Sequence, residues 1–349
     1  MTKHSTRYAL QLADWPEVDR AAWEAAIADG DIFDSCGPAV HWAEDTRRWA
    51  MGAYGRWLGF LERGGNLVKD CAPTDRVTSE LVRAYLEHLK VMVAPRTVVT
   101  LLVGLKEMVK KMSPEKDWRW LKDVCNALNR NARPSTDKRA RLDQSPEVYA
   151  TALARMDSLK AEGVQGRNRL CRYRNLLIIA LFTSLPLRLK NFTALELDRH
   201  LVSEPYGWRI SIPAAEVKKK TQPLEFWLIR TLEPYLEFYL QVVRPQLMNG
   251  RSSNRVWIGW KGKPLAAHAI HTCVKRDTKR FLGKAINPHQ FREMAASTLS
   301  TVSPAAARSA APLLGHRYFS TTERYYVRAN QLEASRKVNA MLKSIKAKG

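Results

Sequence analysis

Between Thr46 and Asn129 the apolar residues recur at helical spacing with hardly a break, which restricts this stretch to a bundle of short helices. Trp49, Tyr54, Trp57, Leu58, Phe60 and Leu61 share one helix, stopped by Gly64-Gly65. Thr78 offers an N-cap for a second, carrying Leu81, Val82, Tyr85, Leu86 and Leu89. Pro95-Arg96-Thr97 opens a third with Val98, Leu101, Leu102, Leu105 and Val109, and a fourth runs through Trp118, Leu121, Val124, Cys125 and Leu128. A basic linker over 131–144, with Pro134-Ser135-Thr136, separates this domain (46–130) from a second over 145–330. There, 148–159 and 173–184 read as helices. Trp208-Arg209-Ile210-Ser211-Ile212 and Leu224 to Leu228 alternate, with Lys218-Lys219-Lys220-Thr221-Gln222-Pro223 as the turn of a hairpin between them. Helical signals then return to the chain end, with a break at Asn287-Pro288. The expected fold class is mainly α with a small β-sheet or hairpin (α+β).

Charge points to the partner. The chain of 349 residues carries 57 Lys and Arg against 34 Asp and Glu, a net +23. Such an excess favours a polyanion, nucleic acid ahead of a membrane surface. It is unevenly spread: residues 1–45 hold nine acidic and three basic residues, so their balance is −6 and the remainder carries +29. This acidic N-terminal segment is a poor DNA-binding arm and is expected to pack on the protein itself or on a partner subunit.

Five scattered cysteines without a close pair, Cys36, Cys71, Cys125, Cys171 and Cys273, read as buried free thiols in a reducing cytoplasm. The most apolar run, Leu176 to Leu181, is too short to span a bilayer. No apolar signal stretch opens the chain, so the expected location is cytoplasmic.

Chemistry-bearing residues concentrate in the second domain. Arg188 lies in Thr183-Ser184-Leu185-Pro186-Leu187-Arg188-Leu189-Lys190-Asn191, after the apolar helix. Lys220 closes three lysines at the hairpin turn. His289 and Arg292 stand three apart at the start of a helix, on one face. Leu313-Leu314-Gly315-His316 precedes Ser320-Thr321-Thr322-Glu323-Arg324-Tyr325-Tyr326. A tyrosine, with a pKa near 10, becomes a competent nucleophile when cations activate the group it attacks.

Arg188, Lys220, His289, Arg292, His316 and Tyr325, in that order, resemble the catalytic set of the tyrosine recombinase (phage integrase) family. The final box matches that family's Leu-Gly-His and Ser-Thr-Thr-x-x-Tyr segments nearly residue for residue. Departures are Leu185-Pro186-Leu187 in place of the family's Gly-Leu step before the arginine, Asn191, where the family has Glu three residues after it, and Glu293-Met294 in place of His-Thr. The resemblance implies a helical core-binding domain and a catalytic domain clamping duplex DNA. Arg188, Arg292 and His289 would hold the scissile phosphate, and His316 would support it and steady the nucleophile. Lys220 would protonate the leaving 5′-oxygen, and Tyr325 would attack, leaving a 3′-phosphotyrosyl intermediate and then a Holliday junction.

It further implies double-stranded DNA with specific recombination sites as partner, a homotetramer on that DNA, and accessory DNA-bending or directionality proteins. No cofactor, metal or membrane is called for, and the nucleoid becomes the expected place of work. Lys218, Lys219, Arg96, Arg139 and Arg141 are candidate DNA-backbone contacts. An apolar stripe over 331–349 (Leu332, Val338, Met341, Leu342, Ile345) marks an amphipathic tail that docks either on its own domain or on a neighbouring subunit. Integration or excision of a mobile element is the leading biology, with chromosome-dimer resolution beside it. The alternatives are a catalytically silent DNA-binding accessory protein on the same scaffold and a type IB topoisomerase-like enzyme.

Overall fold

A computed structural model describes residues 8–30, 35–132, 145–217, 223–309 and 314. The chain divides into two compact units, Met1–Asp137 and Lys138–Gly349.

The first unit contains α1 (Glu17–Ile27), α2 (Glu44–Arg63), α3 (Ser79–Met92), α4 (Pro95–Met112) and α5 (Arg119–Asn131). Local chemistry sets the boundaries. Gly64 ends α2, and Gly65 adopts φ +70°, a conformation that side-chain-bearing residues avoid. The Thr78 side chain accepts from Leu81 N–H at 3.3 Å, and Pro95 occupies the first turn of α4, where its missing N–H costs no helical bond. Trp57, Leu58, Leu61, Tyr85, Leu102, Leu105, Met108 and Leu121 form one core. Burying each such side chain is worth about 1.5–3 kcal/mol. At the α2–α4 contact, a Cβ on Gly104 would come within 2.4 Å of Ala53 Cβ, so only glycine permits that approach.

The described part of the acidic segment belongs to this core: Leu10, Trp15 and Trp23 are buried within it. Asp19 on α1 is fully buried, pairs with Arg76 and accepts from the Tyr54 hydroxyl, with Arg76 also donating to Cys71 O at 3.1 Å. Burial, with Asp19 adjacent, drives the Tyr54 hydroxyl well above its ordinary pKa.

The second unit begins with α6 (Ser145–Ala161), α7 (Gly166–Ser184) and α8 (Leu189–Thr193). Leu176 to Phe182 of α7 are all buried, the pattern of a helix surrounded on every side. An antiparallel sheet follows, ordered β1 (Leu201–Glu204), β2 (Gly207–Ile212), β3 (Leu224–Trp227). Leu201 pairs with Ile210, and Ile210 with Phe226. The two strands read from alternation are therefore β2 and β3; β1 is too short to show a period.

Next come α9 (Glu233–Phe238), a π-helical turn (Tyr239–Val243) and α10 (Arg244–Met248), after which Asn249 at φ 51° and Gly250 at φ +79° end the helical path. The expected return of helical signals, broken at Asn287-Pro288, does not include this earlier interruption. Residues 251–259 run extended or irregular and bury Val256, Trp257 and Ile258. Helices resume as α11 (Ala267–Leu282), α12 (Pro288–Val302) and α13 (Pro304–Arg308).

Among the described residues no helix is long and apolar enough to cross a membrane. Of the thiols, Cys125 and Cys273 are buried and pushed up to about 11 by desolvation, whereas Cys36 is exposed, against the expectation of burial.

Candidate active site

A row of stacked rings lies beneath the site. Phe182 of α7 stacks on Phe192 of α8 (centroids 4.1 Å apart), Phe192 on Trp257 (4.9 Å), and Phe182 on Phe291 of α12 (5.9 Å). Each contact adds about 0.5–1.5 kcal/mol beyond area burial. Phe192 directly follows Asn191 and Phe291 directly precedes Arg292, so these rings set α8 and α12 in a fixed relation beneath the candidate residues.

Arg188 is the N-cap of α8, extended at φ −66°, ψ 139°, where Pro186 and Leu187 carry the chain out of α7. Arg292 projects from the second turn of α12 and is 7% exposed. Its guanidinium donates to the main-chain carbonyls of Pro186 and Leu314, the latter at 2.5 Å. One side chain thus fastens α12 both to the approach of Arg188 and to the position two residues before His316. Burial, and then the neighbouring Arg188 charge, lower Arg292 to about 10, and burial likewise lowers Arg188. Two desolvated guanidiniums, one of which is further disfavoured by the charge of the other, make a place where an anion is strongly favoured.

His289 sits in the first turn of α12. Asn287 caps this helix with a full capping box: it accepts from Gln290 N–H at 3.1 Å, and Gln290 Oε1 accepts from Asn287 N–H at 2.8 Å. The imidazole is open to solvent, with Nε2 3.9 Å from Glu293 Oε1 one turn on. Glu293, one of the departures from the family pattern, is thus near His289 without displacing Arg292.

Asn191, another departure, is buried, and its amide donates to Glu216 O at 3.2 Å. The Glu216 carboxylate is gripped by Arg199 and by the buried His200, whose Nε2 lies 3.0 Å from Glu216 Oε2. His200 Nδ1 accepts from Glu196 N–H at 3.1 Å, so the ring proton resides on Nε2 and points at the carboxylate. Neither His200 nor Glu216 was singled out by sequence reasoning. They are 16 residues apart and belong to no motif, so no local signal could have found them.

Arg188, His289 and Arg292 are therefore placed by α8 and α12 of one unit. Arg96 lies in the first unit, exposed, donating to Asn129 Oδ1. Lys218, Lys219, Lys220, His316, Tyr325, Arg139 and Arg141, and the 331–349 tail, lie outside the described residues. Among the described residues no group of three or more His, Cys, Asp or Glu is arranged to hold a metal.

Residues 161–333 match the phage integrase family. The matched stretch lies within the second unit. The chain is 28% identical over 159 residues to tyrosine recombinase XerD of Staphylococcus aureus, covering 45% of this chain and 51% of the relative. To tyrosine recombinase XerD of Staphylococcus saprophyticus it is 33% identical over 96 residues, 27% of this chain and 32% of the relative. The matches thus span between about a third and about half of these relatives' own lengths. The fold resembles that of a XerH site-specific recombinase crystallised on a palindromic difH substrate after cleavage, with TM-score 0.56, 14% identity, and coverage of 95% of this chain and 99% of that one. At that identity the likeness concerns fold alone.

Proposed function

We propose that the chain is a site-specific DNA recombinase that cuts and rejoins duplex DNA without cofactor or metal. The observation that carries this reading is the desolvated Arg188–Arg292 pair, locked to the Pro186 turn and to Leu314 at the head of the Leu-Gly-His box. Phosphoryl transfer gathers negative charge on the non-bridging oxygens, and two of the five N–H donors of Arg292 already hold the frame while the rest remain for phosphate. Tyr325 attacks phosphorus, the P–O5′ bond breaks with its electron pair on O5′, and Lys220 supplies the proton to that oxygen while the phenolic proton passes to solvent. His289 donates to the phosphate and His316 steadies the nucleophile. The 3′-phosphotyrosyl ester keeps the bond energy for resealing, and paired exchanges pass through a Holliday junction.

The 46–130 domain grips DNA as a core-binding domain through residues such as Arg96. The 131–144 linker, with Arg139 and Arg141, and Lys218 and Lys219 contact the backbone. The enzyme acts as a homotetramer, with accessory DNA-bending or directionality proteins, in the nucleoid. Its substrate is the recombination site of a mobile element. The family match over 161–333, the similarity to XerD and the fold shared with a DNA-bound recombinase support this reading.

The test is recovery of covalently attached DNA. Wild-type, Tyr325→Phe and Tyr326→Phe proteins are incubated with DNA of the source organism and denatured, and the adducts are sequenced. Adducts at one locus, lost only in Tyr325→Phe, are expected. Loss only in Tyr326→Phe would move the nucleophile by one residue. Tight binding with no adduct from any protein would make this a silent accessory factor, and adducts scattered over all sequences would indicate a topoisomerase.

A further inference from the structure

Asn191, His200 and Glu216 meet at the root of the segment that carries the lysines. Glu216 ends a 3-10 turn (Ala214–Glu216) after β2, Val217 is buried in the core, and Lys220 follows Glu216 by four positions. Holding Glu216 therefore fixes the point from which the chain departs toward Lys220. Glu216 is held at three points. Its carbonyl accepts from Asn191, which lies on α8, the helix that Arg188 caps. Its carboxylate accepts from Arg199 and from the buried His200. His200 is fixed in turn on its far side by Glu196 N–H, and its own carbonyl accepts from Ser211 N–H of β2 at 2.8 Å.

Asn191 explains its own departure from the family pattern. A glutamate there has no N–H to give the Glu216 carbonyl, whereas the carboxamide does.

We propose that Asn191, His200 and Glu216 are positioning residues that tie the lysine segment to the Arg188 helix, so that one framework sets both the phosphate clamp and protonation of the leaving oxygen. This inference rests on Lys220 acting as general acid, and the experiment separates the two. Cleavage rates are measured on a nicked duplex bearing the locus recovered by adduct sequencing, with either oxygen or sulfur at the scissile 5′ bridging position. A thiol ionises near a pKa of roughly 8.5, so sulfur departs as thiolate with the bonding electron pair and requires no proton.

Lys220→Ala, Asn191→Asp and Glu216→Ala are each compared with wild type on both duplexes. Asn191→Asp keeps the side chain's shape and replaces the N–H donor with a carboxylate oxygen that repels the Glu216 carbonyl, so it breaks this tie and decides the matter should Glu216→Ala fail to fold. The expected result on oxygen is a loss of about 10- to 100-fold for the two positioning variants, less than the loss from removing the acid outright. On sulfur all three variants should come within about threefold of wild type. Rescue of Lys220→Ala alone, with the other variants slow on both duplexes, would assign the cluster to folding or to the arginines and overturn the inference. Undiminished rates for Asn191→Asp and Glu216→Ala on oxygen would overturn it as well. If sulfur fails to rescue Lys220→Ala, the general-acid assignment itself is wrong, and the positioning role falls with it.

Discussion

At the scale of single residues, Arg292 combines two duties that are usually separate. It bonds two main-chain carbonyls and presents its charge beside Arg188. Lysine keeps the charge but cannot fork to two acceptors. Arg292→Lys should therefore lower cleavage by about 100-fold, in line with losing a preorganised donor. It should also lower the unfolding temperature, because each abandoned carbonyl costs about 1–3 kcal/mol. Adduct formation on the recovered site and a thermal melt read the two effects, and a variant normal in both would deny Arg292 either duty. The motif spacing at residues 289–292 marked this arginine as a candidate phosphate ligand. Its structural duty was not legible, since Pro186 lies 106 positions away. Asn191 shows the same division. It stood out in the sequence as a departure, but its partner Glu216 became known only once the chain had folded.

At the scale of elements, start and stop signals transferred faithfully into structure, because caps act through bonds spanning three or four residues. Thr78 and Pro95 open the helices read from them, and the break read at Asn287-Pro288 is followed by a helix that the Asn287–Gln290 capping box secures. The box on α12 also aims chemistry, for His289 lies in the turn that Asn287 secures. Asn287→Ala should cost about 1 kcal/mol, lowering the melting temperature by about 2–4 °C for a chain of this size. Cleavage should fall more than that stability loss explains, as the first turn frays and His289 loses its bearing. Differential scanning calorimetry alongside cleavage rates checks this, and a stability loss with unchanged rate would separate the cap from the site. Elements below the reach of periodicity escaped: β1 has four residues, and the buried extended run at Val256 to Ile258 carries no alternation. Those residues are placed by what packs on them, above all the Phe192–Trp257 stack.

At the scale of the whole molecule, charge and burial divide the work. The +29 carried beyond residue 45 suits a phosphate backbone. The described part of the acidic stretch before it supplies core residues and a buried carboxylate to the first unit. If Arg139 and Arg141 each neutralise one phosphate, replacing both with Ala should reduce the slope of log K against log salt by about 1.8. Fluorescence anisotropy on the recovered duplex at several salt concentrations measures it, and an unchanged slope would remove the two residues from the interface. What the sequence by itself determined is the order and type of the reactive residues, the helical bundle, the hairpin strands and the appetite for a polyanion. Each of these rests on local spacing, local capping or summed charge. Only the tertiary structure decided that Arg292 braces two distant carbonyls, that Asp19 is buried against Arg76, and that Asn191 and His200 grip Glu216. Such bonds join segments far apart along the chain, and two groups that meet only after collapse leave no periodic trace in the order of the residues.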